Sequence, residues 1–315
     1  MEDLPGSVAF EASDDFASGL ALLDAAFAVV LGARVEAQAS LHDPVQGGIG
    51  FNAPAVDRLL STLADLCSGA WLGMRTTSRP AGRRDLNLRM CYRQPVHPVP
   101  RLREAGLLTF DGHPMEELLD ELVEEFPLWW GIDASVSGSV DKLWLIFDDG
   151  IPLAEALALP HLPHSIRASQ DHFDRVGMDR IGLIGLDFGH RTINVYSPVF
   201  PPGRLTYDTV TTIISGLGFP LPAEEELVRK ARAFDVYQTF SWDEPGVRRL
   251  CFPVRYTAEE FPTHCHPVLK RFVEAAPFAT DQRAFVYYAT YGPRGGYFKV
   301  QSDYTGNHRE TFIPQ

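Results

Sequence analysis

The feature that most limits how this chain can fold is a recurring order: one helical pattern followed by two strand patterns. Residues 55–67 carry Val56, Leu59, Leu60, Leu63 and Cys67 at helical spacing. Two strand-like segments follow, WLGMRTTSR and DLNLRMCYR, divided by the turn-prone Pro80-Ala81-Gly82. PMEELLDELVEEF then presents Met115, Leu118, Leu119, Leu122, Val123 and Phe126 as one apolar stripe, ahead of WWGIDASVS and DKLWLIF. The order returns with SIRASQDHFDRVG before DRIGLIGLDF and RTINVYSPVF. It returns again with helical patterns over 207–217 and 224–233 before DVYQTFSW and VRRLCFPVR. Last, HPVLKRFVEAA precedes AFVYYATYG and YFKVQSDY.

Five hairpins give about ten antiparallel strands, since short connections favour antiparallel pairing. No Pro/Gly/Ser-rich linker interrupts them, so residues 1–315 are expected to form a single domain. The helices carry apolar stripes that need covering, and the economical solution packs them on the outside of a closed sheet. The expected class is α+β: a ten-stranded antiparallel β-barrel with helices outside. Ten strands leave a lumen wide enough for a ligand. Apolar strand faces would then look outward and polar faces inward.

Period-two alternation assigns those faces. Leu88 and Met90 turn outward against Asn87, Arg89 and Cys91. Leu143, Leu145 and Phe147 oppose Lys142, Trp144 and Ile146. Leu250, Phe252 and Val254 oppose Arg249, Cys251 and Arg255. Phe298 and Val300 oppose Tyr297, Lys299, Gln301 and Asp303; Leu72 and Met74 oppose Arg75 and Thr77; Ile193 and Val195 oppose Asn194 and Tyr196. Two of the chain's four lysines therefore join several arginines on inward faces. Buried cations without partners are costly, and a bound anion of high charge such as a diphosphate would offset that cost. The alternative is an open sheet with these faces in water.

Composition excludes several classes. A net charge of −13 and a pI near 5.2 argue against a nucleic-acid surface. Four scattered cysteines without CxxC pairing read as reduced thiols of a cytoplasmic protein. The start MEDLPGSVAF lacks the basic opening of a signal peptide, and the apolar run over 16–31, broken by Asp24, is too short to span a bilayer. Neither Asp14-Asp15 nor Asp148-Asp149 continues to a DDxxD metal clamp. HCH at 264–266 has no companion cluster. Ser139 to Lys142 matches SxxK without a GxSxG elbow, and GLIGLDFG lacks dinucleotide-motif spacing.

RTTSRP, DKLWLIF, DFGHRTINVY, VYQTFSWDEPGVRRLCF and GGYFKVQSDYTGN occur in one order, and together they resemble the soluble aromatic prenyltransferases of the ABBA (PT-barrel) type. The resemblance runs from about Trp71 to the carboxyl end. It implies αββα repeats closing a ten-stranded barrel, and transfer of an allylic prenyl group (dimethylallyl or geranyl) from its diphosphate to an electron-rich phenolic or polycyclic ring. The diphosphate-binding set it implies is Arg75, Arg89, Lys142, Asn194, Tyr196, Tyr237, Arg249 and Lys299. Trp144, His190, Tyr297 and Gln301 would line the acceptor pocket or shield the cation. Some relatives carry a glutamate proposed as base where Gln301 stands, and an amide is no general base. Asp303 is the nearest acidic substitute. Gly189 replaces an arginine of relatives that accept carboxylated phenols, which points to a hydroxylated naphthalene, quinol or phenazine.

Arg89 implies that a guanidinium supplies the charge which magnesium supplies in some relatives, so no metal or cofactor is expected. The partners expected are a prenyl diphosphate and an aromatic small molecule, with neither nucleic acid nor membrane, for a cytoplasmic monomer. The competing readings are a non-catalytic barrel that binds an aromatic or isoprenoid metabolite, and a diphosphate hydrolase.

Overall fold

The computed structural model describes residues 15–32, 51–80, 84, 86–262 and 264–312. The MEDLPGSVAF start, Asp14 and the Ala81-Gly82 turn lie outside the described residues. All ten expected strand segments are strands. They form five hairpins: β1 (Trp71–Thr77) with β2 (Leu86–Tyr92), β3 (Trp129–Ser135) with β4 (Val140–Pro152), β5 (Arg180–Asp187) with β6 (Thr192–Tyr196), β7 (Tyr237–Ser241) with β8 (Arg249–Thr257), and β9 (Ala284–Gly292) with β10 (Gly295–Asp303). Each strand pairs antiparallel with its neighbours in sequence, and β1 pairs with β10 to close the barrel.

Twelve helices are found among the described residues. Before the barrel come α1 (Asp15–Val30), α2 (Ala53–Thr62) and α3 (Ala64–Cys67). Between hairpins lie α4 (Val99–Glu104), α5 (Met115–Glu125), α6 (Leu153–Ala158), α7 (His164–Arg167), α8 (Gln170–Val176), α9 (Tyr207–Ser215), α10 (Glu224–Lys230) and α11 (Pro267–Ala275). The last is α12 (His308–Phe312). No helix among the described residues is long and apolar enough to cross a membrane.

The helical patterns over 55–67 and 165–177 each break in two. Leu63 leaves helical geometry at φ −117°, ending α2 before α3 begins. Ser169, at φ −107°, separates α7 from α8 and turns its hydroxyl back onto the Ser165 carbonyl at 2.7 Å. Such side-chain competition with the backbone is why serine interrupts helices. The short α4, α6 and α12 have too few turns to show a period, and sequence periodicity did not reveal them.

The barrel wall divides the interior as alternation predicts. Leu72, Met74, Leu88, Met90, Leu143, Leu145, Ile193, Val195, Leu250, Phe252, Val254 and Val300 share one apolar core with α2, α5, α9 and α11 residues such as Leu60, Leu119, Ile213 and Phe272. Each such side chain contributes about 1.5–3 kcal/mol on burial. Inside the barrel are two separate apolar clusters. Trp71, Cys91, Trp129, Trp144 and Ile146 make one; Tyr237, Cys251, Val286 and Tyr288 make the other. Cys67, Cys91 and Cys251 are buried free thiols.

Two lumen glycines let the Trp144 indole lie flat against the wall. A Cβ on Gly131 would sit 2.5 Å from Trp144 Cε3 and 2.8 Å from Cys91 Sγ; one on Gly185 would sit 3.0 Å from Trp144 Cδ1. These glycines are Trp144's cross-strand partners on β3 and β5. Overpacking of this kind usually costs about 1–3 kcal/mol. Gly131→Ala is therefore expected to lower the thermal midpoint and shift tryptophan fluorescence, because the methyl must push the indole off its bed. An unchanged midpoint and spectrum would show that the close approach is not structural.

Candidate active site

The Lys142, Asp187 and Thr239 end of the barrel is a cationic mouth. It encloses about 800 Å³, part of it open to solvent. Five cations line it, Arg75, Arg79, Lys142, Arg249 and Lys299, against the carboxylates Asp133, Asp141 and Asp187. The carboxylates are already engaged. Asp133 lies 2.8 Å from Arg89 and 3.5 Å from Arg75. Asp187 lies 3.3 Å from Lys142 and also accepts from His190. Asp141 accepts from Asn87 and Ser139. Burial alone would raise the Asp133 and Asp187 pKa values, but the neighbouring cations outweigh it and hold both carboxyls below the usual range.

Lys299 and Arg249 meet tyrosine hydroxyls instead. Lys299 Nζ donates to Tyr237 Oη at 2.8 Å, and Arg249 Nη1 donates to Tyr297 Oη at 3.4 Å. Arg79 stacks over the Tyr297 ring, 4.1 Å from its centroid. Burial, helped by the Arg75 and Lys142 charges, pulls the Lys299 pKa down to about 8. Burial pushes the Tyr297 phenol up, yet Lys299, Arg249 and Arg79 outweigh it and bring it down to about 7. Asn194 Oδ1 accepts from Thr239 Oγ1 at 2.7 Å, which leaves the Asn194 amide NH₂ to donate into the mouth. The mouth is thus built from donors facing a common space, the arrangement that binds and stabilises phosphate oxygens.

Below it lies an aromatic chamber of about 510 Å³. Trp71, Trp144, Tyr196, Phe234, Tyr237, Tyr288 and His308 line it, with Arg89, Leu183, Asp235 and Gln301. Tyr196 and Tyr237, cross-strand partners on β6 and β7, stack with centroids 4.3 Å apart. Arg89 lies over the Trp144 ring at 4.6 Å. Gln301 Oε1 accepts from both Arg89 and Tyr288 Oη, so its amide is held in place.

The structure therefore divides the residues singled out in the sequence by depth. Arg75, Lys142, Asn194, Tyr237, Arg249 and Lys299 share the mouth; Arg89 and Tyr196 line the chamber beneath, and Tyr237 spans both. Of the acceptor set, Trp144 and Gln301 line the chamber, whereas His190 and Tyr297 stand at the mouth among the cations. Asp303 is fully occupied elsewhere. It accepts from Trp71 Nε1 at 2.9 Å and from the backbone N–H groups of Gly306 and His308, fixing the turn into α12. It is a structural residue.

The other motifs also find structural roles. His266 caps α11 by accepting from the Val268 N–H. Ser139 donates to Asp141, two residues on. Asp148 accepts from Arg93 and Trp129 beside the register break in β4. Sequence reasoning missed Arg79, Asp133, Asp187 and Asp235. Two of these were readable by alternation: Asp133 on β3 shares a face with Gly131, and Asp187 on β5 with Gly185, whereas Asp235 lies two residues before the start of β7. Arg79 follows the end of β1, where alternation no longer applies.

The lowered Lys299 and Tyr297 pKa values set a direction for anion binding. Lys299 is cationic only below about pH 8, and Tyr297 becomes anionic as pH rises through about 7. Both changes weaken the mouth as pH rises. Affinity for inorganic diphosphate, measured calorimetrically from pH 6.5 to 9.5, should fall through this window with net proton uptake on binding. Lys299→Ala should bind at least about tenfold more weakly at pH 7, since a hydrogen bond to a charged group contributes roughly 1.5–3 kcal/mol, and should flatten the upper part of the profile. Wild-type affinity in that variant would remove Lys299 from the site.

Residues 44–313 match the family described as aromatic prenyltransferase Orf2. The chain is 28% identical over 251 residues to flaviolin linalyltransferase of Streptomyces virginiae, covering 78% of this chain and 83% of that protein. It is 28% identical over 249 residues to 5,10-dihydrophenazine-1-carboxylate 9-dimethylallyltransferase of Streptomyces anulatus, covering 77% and 83%. In fold it is similar to 5-dimethylallyltryptophan synthase from Streptomyces coelicolor, with a TM-score of 0.53 at 12% identity, over 95% of this chain and 98% of that one. With a donor-lined mouth over an aromatic chamber, and with most of its length matched, the chain belongs to the aromatic prenyltransferase Orf2 family and is a prenyltransferase.

Proposed function

We propose that the enzyme transfers a dimethylallyl or geranyl group from its diphosphate to an electron-rich phenolic or polycyclic ring by Friedel-Crafts alkylation, in secondary metabolism. The carrying observation is the mouth, where five cations outnumber three engaged carboxylates directly above an aromatic chamber. Arg75, Lys142, Asn194, Tyr237, Arg249 and Lys299 hold the diphosphate. The C1–O bond breaks with its electron pair leaving on that diphosphate, and Lys299 and Arg249 stabilise the charge that develops there. The allylic cation lies against the faces of Trp144, Tyr196 and Tyr237, an interaction worth about 2 kcal/mol or more when water is excluded. Arg89 can stand in this chamber because Asp133 offsets its charge.

The relatives extend the reading. One acts on flaviolin and another on a dihydrophenazine carboxylate, both polycyclic. The tryptophan and tyrosine rings around the chamber suit a flat acceptor. A monomer is the proposed state, since every barrel strand is paired on both sides and leaves no edge. Three buried free thiols fit a reducing cytoplasm. The whole chain would work as one domain with no resident cofactor and no nucleic-acid or membrane partner.

Turnover is proposed not to need magnesium, because protein cations already exceed the mouth's carboxylates. With dimethylallyl or geranyl diphosphate and a panel of naphthols, quinols and phenazines, product should form in chelator at a rate that magnesium changes less than about twofold. Loss in chelator with recovery on adding magnesium would overturn the metal-free step. Prenyl alcohol alone would indicate a hydrolase, and binding without turnover a carrier.

A further inference from the structure

The aromatic chamber contains one group for which diphosphate binding and cation shielding have no use. Among the described residues lining it, Asp235 is the one carboxylate. It stands two residues before Tyr237 and is 9% exposed; its Oδ1 is buried with no hydrogen-bond partner. Such an atom is expensive to retain in an apolar wall unless something binds it. The other acids near the lumen are paired with protein donors: Asp141, Asp187 and Asp303 by hydrogen bonds or ion pairs, and Asp133 through its Oδ2 to Arg89 and Arg75, although its Oδ1 is also buried without a hydrogen bond.

Asp235 also lines a second cleft at the opposite end of the barrel from the mouth, where Arg93, Asp148 and Arg180 reach the surface. It therefore touches both the aromatic chamber and a route to water that avoids the mouth. The ionisable groups around it come from several elements. They are Arg255 on β8, Tyr196 on β6, Tyr288 on β9 and His308 on α12. Burial raises its pKa to about 7, against the pull of Arg255. Burial, with the Arg255 and Arg89 charges, keeps His308 neutral, and both tyrosines are pushed upward. No other group facing the chamber combines basicity near neutral pH with an open acceptor.

We propose that Asp235 is the general base of the transfer, taking the hydroxyl proton of a phenolic acceptor as its ring attacks the prenyl cation. This rests on the prenyltransferase reading above. The ring supplies the electron pair of the new bond to C1, the O–H bond breaks with its electrons forming a ring ketone, and the proton passes to Asp235. The ketone returns to a phenol when the ring C–H proton leaves to the released diphosphate and Asp235 returns its proton to oxygen. The balance is one donor and one acceptor giving one prenylated arene, diphosphate and one proton. The acceptor class is thereby a hydroxyarene whose oxygen reaches the chamber wall below Tyr237.

The test uses Asp235→Asn, which keeps the shape and removes a buried charge, so folding should survive, as its thermal midpoint will show. With geranyl diphosphate and 1-naphthol, wild-type kcat should fall as pH drops through about 7, because the protonated carboxyl cannot accept. The variant should lose about 100-fold or more in kcat at pH 8, as expected for removal of a general base, and should lose that acid limb. The rate ratio between 1-naphthol and 1-methoxynaphthalene, which has no proton to give, should collapse in the variant. Equal losses on both acceptors would make Asp235 merely structural and overturn the proposal. So would an unchanged kcat and acid limb. A wild-type enzyme that yields no prenylated arene from any hydroxyarene would instead overturn the functional reading on which the proposal rests.

Discussion

The site depends on one buried carboxylate. Asp133, 1% exposed, lies between the guanidinium of Arg75 above it and that of Arg89 below. Without it, two arginines would stand desolvated in one narrow lumen, and breaking such a buried arrangement typically costs about 3–5 kcal/mol. With it, the two arginines have different roles. Arg75 keeps a face toward the mouth, where an incoming anion can share it. Arg89 is neutralised, stacked on Trp144 and bonded to Gln301, so it becomes part of the chamber wall. A carbocation could not be sheltered beside a free guanidinium. It can be sheltered beside one whose charge is already matched.

This division explains what was and was not legible in the sequence. Inward and outward faces could be read because both sides of the barrel are buried, and a one-residue slip would bring Leu88 or Leu143 inside and Arg89 or Lys142 among the helices. Depth could not be read. Alternation places Arg89 and Lys142 on the same surface but does not say which is nearer the mouth. That depends on strand stagger, fixed by pairings such as Gly73 with Arg89 and Asp133 with Lys142. The resemblance grouped Tyr297 and His190 with the acceptor pocket or cation shield, and in the fold both stand at the mouth. The acids were overlooked for a different reason: a search for an anion site selects cations, whereas a lumen that buries cations also needs Asp133 and Asp187 to hold them.

The small residues of the lumen matter as much as the charged ones. Gly131 and Gly185 flank Trp144 on the two adjacent strands, so the indole lies along the wall and its face is presented to the chamber. Side chains larger than hydrogen at either position would turn the ring across the lumen. The chamber's width and the aromatic surface it offers to a cation therefore have one structural cause.

Along the barrel axis the polarity runs in one direction. Donors gather at the mouth, aromatic faces occupy the middle, and Asp235 lies toward the far end beside a route to solvent. Ionisation sends negative charge toward the mouth, and loss of the acceptor proton sends positive charge the opposite way. Separating the two exits keeps the base away from Lys299, Arg249 and Arg75, which would otherwise pull a carboxyl's pKa down, as the cations around Asp187 do. Only a carboxyl remote from those cations can stay basic near neutral pH. Gln301 has the same logic from the other side: bonded to Arg89 and facing the centre of the chamber, a glutamate there would add negative charge beside the Asp133–Arg89 pair, whereas the neutral amide holds Arg89 and Tyr288 in place without altering that balance.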